Sequence, residues 1–143
     1  MSTFADSSAL VKLYVDEDHH EAVRGWAPLV VSQLARVEVP AALWRGHRRG
    51  AFGASAAAAL VAQFEADYHG ARPRFGIVAP VALVLDDAAR LSRVHGLRAY
   101  DAVQLASARA AAAADDRVRT FAAFDGQLRD AAVREGFVLL PRA

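Results

Sequence analysis

Short apolar runs alternate with longer stretches of helical periodicity along most of the chain. The apolar runs do not alternate with polar residues, and several contain β-branched side chains, which is typical of strands buried on both faces. Strands are predicted at residues 4–5, 28–31, 77–83, 118–124 and 137–140. The helical patterns cover residues 7–14, a short segment ending at 26, and residues 33–49, 54–68, 86–95, 98–114 and 126–135.

This order of elements predicts an α/β fold in which a central parallel β-sheet is covered by helices on both faces. Ser32 follows the second strand and is a suitable N-cap for the next helix, which Gly50 ends. Pro80 interrupts the third predicted strand. No repeat or linker is visible, so residues 1–143 are expected to form a single domain.

Composition narrows the range of functions. With 143 residues, of which 55% are hydrophobic and 23% charged, the chain can bury one core and is not expected to be disordered. Cysteine is absent, which excludes disulfides, a cysteine nucleophile and thiolate-bound zinc or iron–sulfur clusters. The first residues contain no basic region, and no uncharged apolar run approaches the ~20 residues of a membrane span, so neither a targeting segment nor a membrane span is expected. A soluble cytoplasmic protein without membrane association is expected.

The net charge is only +1, so binding to nucleic acid would depend on local patches rather than on the field of the whole protein. The basic residues are unusual in kind, since 16 arginines accompany a single lysine, Lys12. Arginine offers a planar fork of donors that suits phosphate. The excess of arginine, together with 34 alanines, also fits a GC-rich coding sequence.

Four acidic residues are placed near the predicted carboxyl ends of strands, where open parallel sheets bind ligands. Asp6 follows the first strand and Asp125 follows the fourth. Glu38 lies less than two turns into the helix after the second strand, and Asp101 lies at the start of another helix. Apolar and small residues surround Glu38 and Asp101, where an unpaired carboxylate is costly. Any one of the four could instead be a helix cap or an exposed surface residue.

If the four acids converge, they cannot all stay ionised unaided. At an effective dielectric of ~20, two unit charges ~5 Å apart repel by roughly 3 kcal/mol, so either protons or a cation must be bound. Oxygen ligands without Cys or suitably spaced His favour a hard cation, with Mg²⁺ the best fit and Mn²⁺ the alternative. Such an ion could activate water and neutralise the charge that develops on a phosphodiester.

Four segments resemble motifs of the PIN-domain ribonucleases, and among these the VapC-type toxins of type II toxin–antitoxin systems. They are residues 4–12 (FADSSALVK), 31–39 (VSQLARVEV), 96–108 (GLRAYDAVQLASA) and 121–128 (FAAFDGQL), in the order and at the spacing of the family. A lone Asp-Ser-Ser is a weak signal, but four motifs in order over nearly the whole chain are specific. One difference is Ala123, because the family often carries Ser or Thr two residues before the last acid.

The resemblance implies a PIN-like three-layer α/β sandwich and Mg²⁺- or Mn²⁺-dependent endonucleolytic cleavage of RNA by metal-activated water. The catalytic and metal-binding acidic quartet of the family is matched by Asp6, Glu38, Asp101 and Asp125. Ser8 matches a hydroxyl residue that supports Asp6 or the metal shell. The implied partners are a VapB-type antitoxin, whose C-terminal segment covers the acidic site, and a second copy of the chain. A homodimer and a toxin–antitoxin hetero-oligomer are therefore expected.

Contacts with RNA are expected from four arginines. Arg45, Arg48 and Arg49 lie at the end of the helix that carries Glu38, and they could equally serve as favourable charges at a helix C-terminus. Arg98 lies three residues before Asp101 and is a candidate for binding phosphate. No histidine lies where a general base would be expected, which agrees with metal-activated water.

Three other functions compete with the ribonuclease. A PIN-like module that binds RNA or protein without cleavage is the main alternative, but such a module usually lacks one or more of the acids, and all four are present. A phosphoacceptor receiver domain needs a pair of acids after the first strand and an Asp after the third. A haloacid-dehalogenase-type phosphatase needs Asp-x-Asp in the first motif. Neither pattern is present.

Overall fold

The computed structural model describes residues 1–26 and 28–142. Its strands are β1 (Ser2–Ala5), β2 (Leu29–Ser32), β3 (Phe75–Val78), β4 (Val118–Ala122) and β5 (Val138–Leu140). All neighbouring strands pair in parallel, and the order across the sheet is β3-β2-β1-β4-β5. The helices in this part of the chain are α1 (Ser7–Val11), α2 (His20–Arg24), α3 (Ala35–Arg48), α4 (Ala54–His69), α5 (Ala82–His95), α6 (Ala99–Ala114) and α7 (Gly126–Arg134).

The sheet is buried on both faces, which confirms the predicted α/β sandwich. On one face Phe4 stacks on Phe121 with 5.6 Å between ring centroids, beneath α5, α6 and α7. On the other face Val31 and Phe64 belong to a second cluster beneath α1, α3 and α4. Consecutive strand residues point to opposite faces, so Phe4 packs in the first cluster and Ala5 in the second.

The third strand differs from its prediction. It spans Phe75–Val78 rather than residues 77–83, and α5 begins at Ala82. Pro80 has no amide hydrogen for the ladder, so the strand ends before it. The apolar residues that follow belong to a helix that buries Val84 and Leu91 and leaves Leu83 80% exposed.

Ser32 is not the N-cap that the sequence suggests. It is the last residue of β2, and α3 begins only at Ala35. The Ser32 hydroxyl instead accepts a hydrogen bond from the Leu34 amide at 3.1 Å, which stabilises the turn between strand and helix. The fourth strand also ends earlier than predicted, at Ala122.

Glu135 connects the three helices on one face of the sheet. It accepts hydrogen bonds from Arg109 of α6 at 2.7 Å, from Arg90 of α5 at 3.0 Å and from His95 at 2.7 Å. Burial acts to raise the pKa of Glu135, but the hydrogen bonds and the two guanidinium charges outweigh it and hold the pKa below its ordinary value. The network fixes α6 against its neighbours, and α6 carries Asp101.

Because all five strands run in the same direction, their carboxyl ends lie together at one end of the sheet. This end is called the carboxyl edge below. The central strand β1 leads from this edge directly into α1, and β2 leads through a short turn into α3. In the part of the chain that the structure describes, no helix is both long and apolar enough to span a membrane.

Candidate active site

Asp6 is buried at the carboxyl end of the central strand. It follows β1 directly, its amide donates to the Ala122 carbonyl at 3.1 Å, and only 5% of the residue is exposed. As the N-cap of α1, its Oδ1 accepts hydrogen bonds from the Ser8 hydroxyl at 2.7 Å and from the Ala9 amide at 3.0 Å. The predicted supporting hydroxyl, Ser8, is thus in direct contact with Asp6.

The surroundings of Asp6 favour its protonated form. Burial, with smaller contributions from the Asp101 and Glu38 carboxylates, outweighs the hydrogen bonds from Ser8 and Ala9 and raises the pKa of Asp6 from 3.8 to about 7. A cation beside Asp6 would have the opposite effect, because it favours the ionised carboxylate. A carboxyl group with a strongly raised pKa in a cleft is typical of functional sites.

Glu38 is held in place by side chains from two other helices. It lies in the first turn of α3, and its Oε1 accepts hydrogen bonds from Gln104 Nε2 at 2.7 Å and from the Ser7 hydroxyl at 2.9 Å. Gln104 Nε2 also donates to the Ser7 oxygen at 3.1 Å. These contacts join α1, α3 and α6 at the carboxyl edge of the sheet.

Three of the four predicted acids line one cavity. Asp101, in the first turn of α6, joins Asp6 and Glu38 around an open space of about 200 Å³. Burial and then the charge of Asp125 raise the pKa of Asp101, while the charge of Arg98 opposes this. The cavity therefore concentrates carboxylates whose charges repel one another.

Asp125 lies outside this cavity. It is exposed, and as the N-cap of α7 its Oδ2 accepts a hydrogen bond from the Leu128 amide at 2.9 Å. It is still close enough to Asp101 to raise the pKa of that residue. The structure thus places Asp125 beside the acidic cluster rather than among the residues that line the cavity.

The predicted RNA-binding arginines occupy different positions. Arg45 lines the cavity, and within the described residues no carboxylate lies within ion-pair distance of it. Arg98 is exposed and close enough to Asp101 to act on its pKa. Arg48 and Arg49 are exposed at the end of α3 and do not line the cavity.

Two residues of the site, Gln104 and Ser7, were not predicted. Gln104 is the only polar side chain in an otherwise apolar run, residues 102–106, and it follows Asp101 by three positions, which places both on one face of α6. That isolated polar residue was an available signal. Ser7 gave none, since a serine at the start of a helix is common.

The side chains that line the cavity suit a hard, hydrated cation, because the atoms among them that could bind a metal are oxygens. Among the described residues, no three Asp, Glu or His side chains are close enough together to form a complete set of metal ligands. Mg²⁺ commonly binds through only one or two carboxylates and keeps several waters. Carboxylates spaced around a cavity of this size are compatible with that mode of binding.

The side-chain oxygen of Gln104, a buried hydrogen-bond acceptor, is also compatible with a hydrated cation in the cavity. Gln104 is 2% exposed and lines the cavity, yet its Oε1 has no hydrogen-bond partner among the residues that the structure describes. A buried acceptor left unsatisfied costs ~1–3 kcal/mol. A donor that reached Oε1, such as a water molecule carried by a cation, would remove this cost.

Comparisons with known proteins agree with the fold. A sequence model of the PIN domain matches residues 3–133. A protein in a toxin–antitoxin complex from Klebsiella pneumoniae has a similar fold, with a TM-score of 0.56 and 16% identity over 86% of each chain. VapC20 of Mycobacterium tuberculosis, a sarcin–ricin loop cleaving toxin, is similar with a TM-score of 0.62 and 22% identity over 90% of this chain and 94% of that one. No curated protein matches the sequence significantly.

Proposed function

The chain belongs to the PIN domain family, and from that premise we propose that it is a Mg²⁺-dependent endoribonuclease, the toxin of a VapBC-type toxin–antitoxin pair. One observation carries the proposal. A buried carboxylate, Asp6, lies with Glu38 and Asp101 around an open cavity at the carboxyl edge of a parallel sheet. This edge is where such sheets bind ligands.

In the proposed reaction one or two of the carboxylates of Asp6, Glu38 and Asp101 would bind Mg²⁺ or Mn²⁺ directly and the rest through the waters of the ion, while Asp125 would add negative charge beside Asp101. Bound there, the cation would lower the pKa of a water molecule and neutralise the charge that develops on the phosphodiester.

The protein's own contribution is to fix the carboxylates before the cation arrives. Ser8 and the Ala9 amide hold Asp6, while Gln104 and Ser7 hold Glu38. Ligands that are fixed in advance lose less conformational entropy on binding.

We propose RNA as the substrate and a VapB-type antitoxin as the partner. The similar fold from Klebsiella pneumoniae comes from a toxin–antitoxin complex, and the Mycobacterium tuberculosis protein is a sarcin–ricin loop cleaving toxin. An open cavity lined by carboxylates would accept a guanidinium group through charge-assisted hydrogen bonds. An antitoxin segment carrying an arginine would therefore block the proposed site. We expect the toxin to form a homodimer that binds the antitoxin as a hetero-oligomer.

Cleavage is expected to depend on a divalent cation. Purified protein should cleave end-labelled ribosomal, transfer or messenger RNA in Mg²⁺, and excess EDTA should abolish the cleavage because the carboxylates would then lack the ion. Mn²⁺ added beyond the chelator should restore it at the same positions, as mapped from the cleaved ends. Unchanged cleavage in EDTA would overturn the proposed metal dependence.

Arg45 is expected to contribute to RNA binding, because it lines the cavity and, within the residues that the structure describes, its guanidinium forms no ion pair that would compete with phosphate. In a cleavage-deficient Asp6→Asn background, Arg45→Ala should weaken binding of all RNA sequences alike. It should also reduce the slope of log affinity against log salt by roughly 1.

A matched control for this change is Arg119→Ala. Arg119 is exposed near the start of β4, at the opposite edge of the sheet, and its removal changes the net charge equally. Equal losses of affinity in the two variants would show that Arg45 acts only through overall charge.

A further inference from the structure

Gln104 is not one of the four predicted acids, yet its side chain is hydrogen-bonded to one of them, Glu38. It lies in the middle of α6 between the buried residues Val103 and Leu105 and is itself 2% exposed. Its Nε2 donates to Glu38 Oε1 at 2.7 Å and to the Ser7 hydroxyl at 3.1 Å. A buried amide that bridges two other helices at the cavity wall has a more specific role than filling the core.

The contacts of Gln104 fix the orientation of its amide. If the amide were reversed, its carbonyl oxygen would face the Glu38 carboxylate at 2.7 Å, and two acceptors would meet without a hydrogen between them. Nε2 therefore faces Glu38. Oε1 is then left as a buried acceptor without a partner in the described residues, in a side chain that lines the cavity.

We propose that Gln104 is a positioning residue that, together with Ser7, holds Glu38 in the orientation needed to bind a divalent cation. This inference rests on the proposed function. Both donors act on Glu38 Oε1, and within the described residues Oε2 accepts no hydrogen bond. Ser7 and Gln104 thus bind one oxygen of the Glu38 carboxylate and leave the other for the ion. Partners that orient a metal ligand in this way strongly affect metal affinity.

The test compares Mn²⁺ affinity, measured by calorimetry, between the wild-type protein and Gln104→Leu. Leucine has a similar size and removes the amide donor, so Glu38 loses a fixed orientation. The affinity should fall by roughly 10- to 100-fold. Ser107→Ala is the matched control, because Ser107 is also buried on α6, but the one hydrogen bond of its side chain among the described residues goes to the Val103 carbonyl of its own helix, at 2.7 Å. Its affinity for Mn²⁺ should stay that of the wild type.

A positioning role also predicts that the effects of changing Gln104 and Glu38 on Mn²⁺ affinity are coupled. In a Glu38→Gln background, Gln104→Leu should cause no further loss of Mn²⁺ affinity, because the group it orients is already changed. When circular dichroism without Mg²⁺ shows Gln104→Leu to be as folded as the wild type, its RNA cleavage should recover as the Mg²⁺ concentration is raised, because the weaker ion binding is then offset by mass action. Should Gln104→Leu fail to fold by circular dichroism, Ser7→Ala removes the second donor from the partly buried α1 and should weaken Mn²⁺ binding several-fold.

The outcomes separate the inference from the function on which it rests. Wild-type protein that binds Mn²⁺ and cleaves RNA, with Gln104→Leu and Ser7→Ala equal to it in affinity, would overturn the positioning role alone. The positioning role would also be overturned if Gln104→Leu lowered the Mn²⁺ affinity equally in the wild-type and Glu38→Gln backgrounds. Wild-type protein that binds no divalent cation would overturn both proposals.

Discussion

Replacing Asp6 with asparagine is expected to lower RNA cleavage at least ~100-fold while the protein stays folded. Residues that merely orient a metal ligand change affinity or activity by roughly 10- to 100-fold, so loss of a ligand charge should exceed that range. Asparagine keeps an oxygen that can accept the hydrogen bonds from Ser8 and the Ala9 amide. Asparagine is also as good an N-cap as aspartate, so α1 should be retained.

The comparison needs a variant with the same chemical change elsewhere. Asp130 is an exposed carboxylate on α7 that does not line the cavity, and Asp130→Asn should cleave RNA like the wild type. Rates are compared at saturating Mg²⁺ on one labelled RNA. If Asp6→Asn kept more than a tenth of the wild-type rate, Asp6 would not be a metal ligand in the proposed sense.

The metal-free protein is expected to lose stability as the pH rises from about 4 to about 7. The Asp6 carboxyl ionises near pH 3.8 in the unfolded chain, whereas burial raises the pKa to about 7 in the folded protein. Between these values the folded state binds more protons than the unfolded state, so the free energy of unfolding falls with pH. Since one pKa unit corresponds to ~1.4 kcal/mol, the loss is about 4 kcal/mol at most. The raised pKa of Asp101 acts in the same direction.

Urea unfolding in EDTA at pH 5.5 and pH 8 measures the part of this loss that falls above pH 5.5, about 2 kcal/mol at most. The lowered pKa values of Asp16, Asp115 and Glu135 give stability that is lost only at more acidic pH, so they do not interfere in this range. Asp6→Asn cannot ionise at this position and should be more stable than the wild type at pH 8, although its RNA cleavage is expected to be at least ~100-fold lower. Mg²⁺ should stabilise the wild type most at pH 8, where protons no longer compete. If the free energy of unfolding changed with pH equally in the wild type and in Asp6→Asn, ionisation of Asp6 would not be the cause of the loss.

The sequence predicted the architecture well because its signals were local. Apolar runs without alternation indicated strands buried on both faces, and the parallel sheet with helices on each face confirms this. The four motifs indicated the PIN family, which the match over residues 3–133 confirms. The third strand was misplaced because the apolar run after Pro80 fits a strand or a helix equally well. Only packing of Val84 and Leu91 against the core decides for a helix.

The site was predicted less completely, since its geometry depends on contacts between distant segments. Asp6, Glu38 and Asp101 do line one cavity at the carboxyl edge of the sheet, although Asp101 lies on α6, which follows α5 rather than a strand. Asp125 follows β4 as predicted and is the N-cap of α7, but it does not line that cavity. The Gln104–Glu38 hydrogen bond joins residues 66 positions apart on helices whose packing the sequence alone does not define. The metal-binding and catalytic roles of the four acids stay predictions.

The most direct test of the central claim is a crystal structure of the protein soaked in Mn²⁺ at pH 8, with the ion located by anomalous scattering. We predict a peak in the cavity at about 2.0–2.3 Å from an oxygen of Asp6 and from an oxygen of Glu38 or Asp101. Crystals of Asp6→Asn should lack this peak. A protein that cleaves RNA in Mn²⁺ while its cavity stays without the ion would contradict the claim that these carboxylates form a metal-dependent ribonuclease centre.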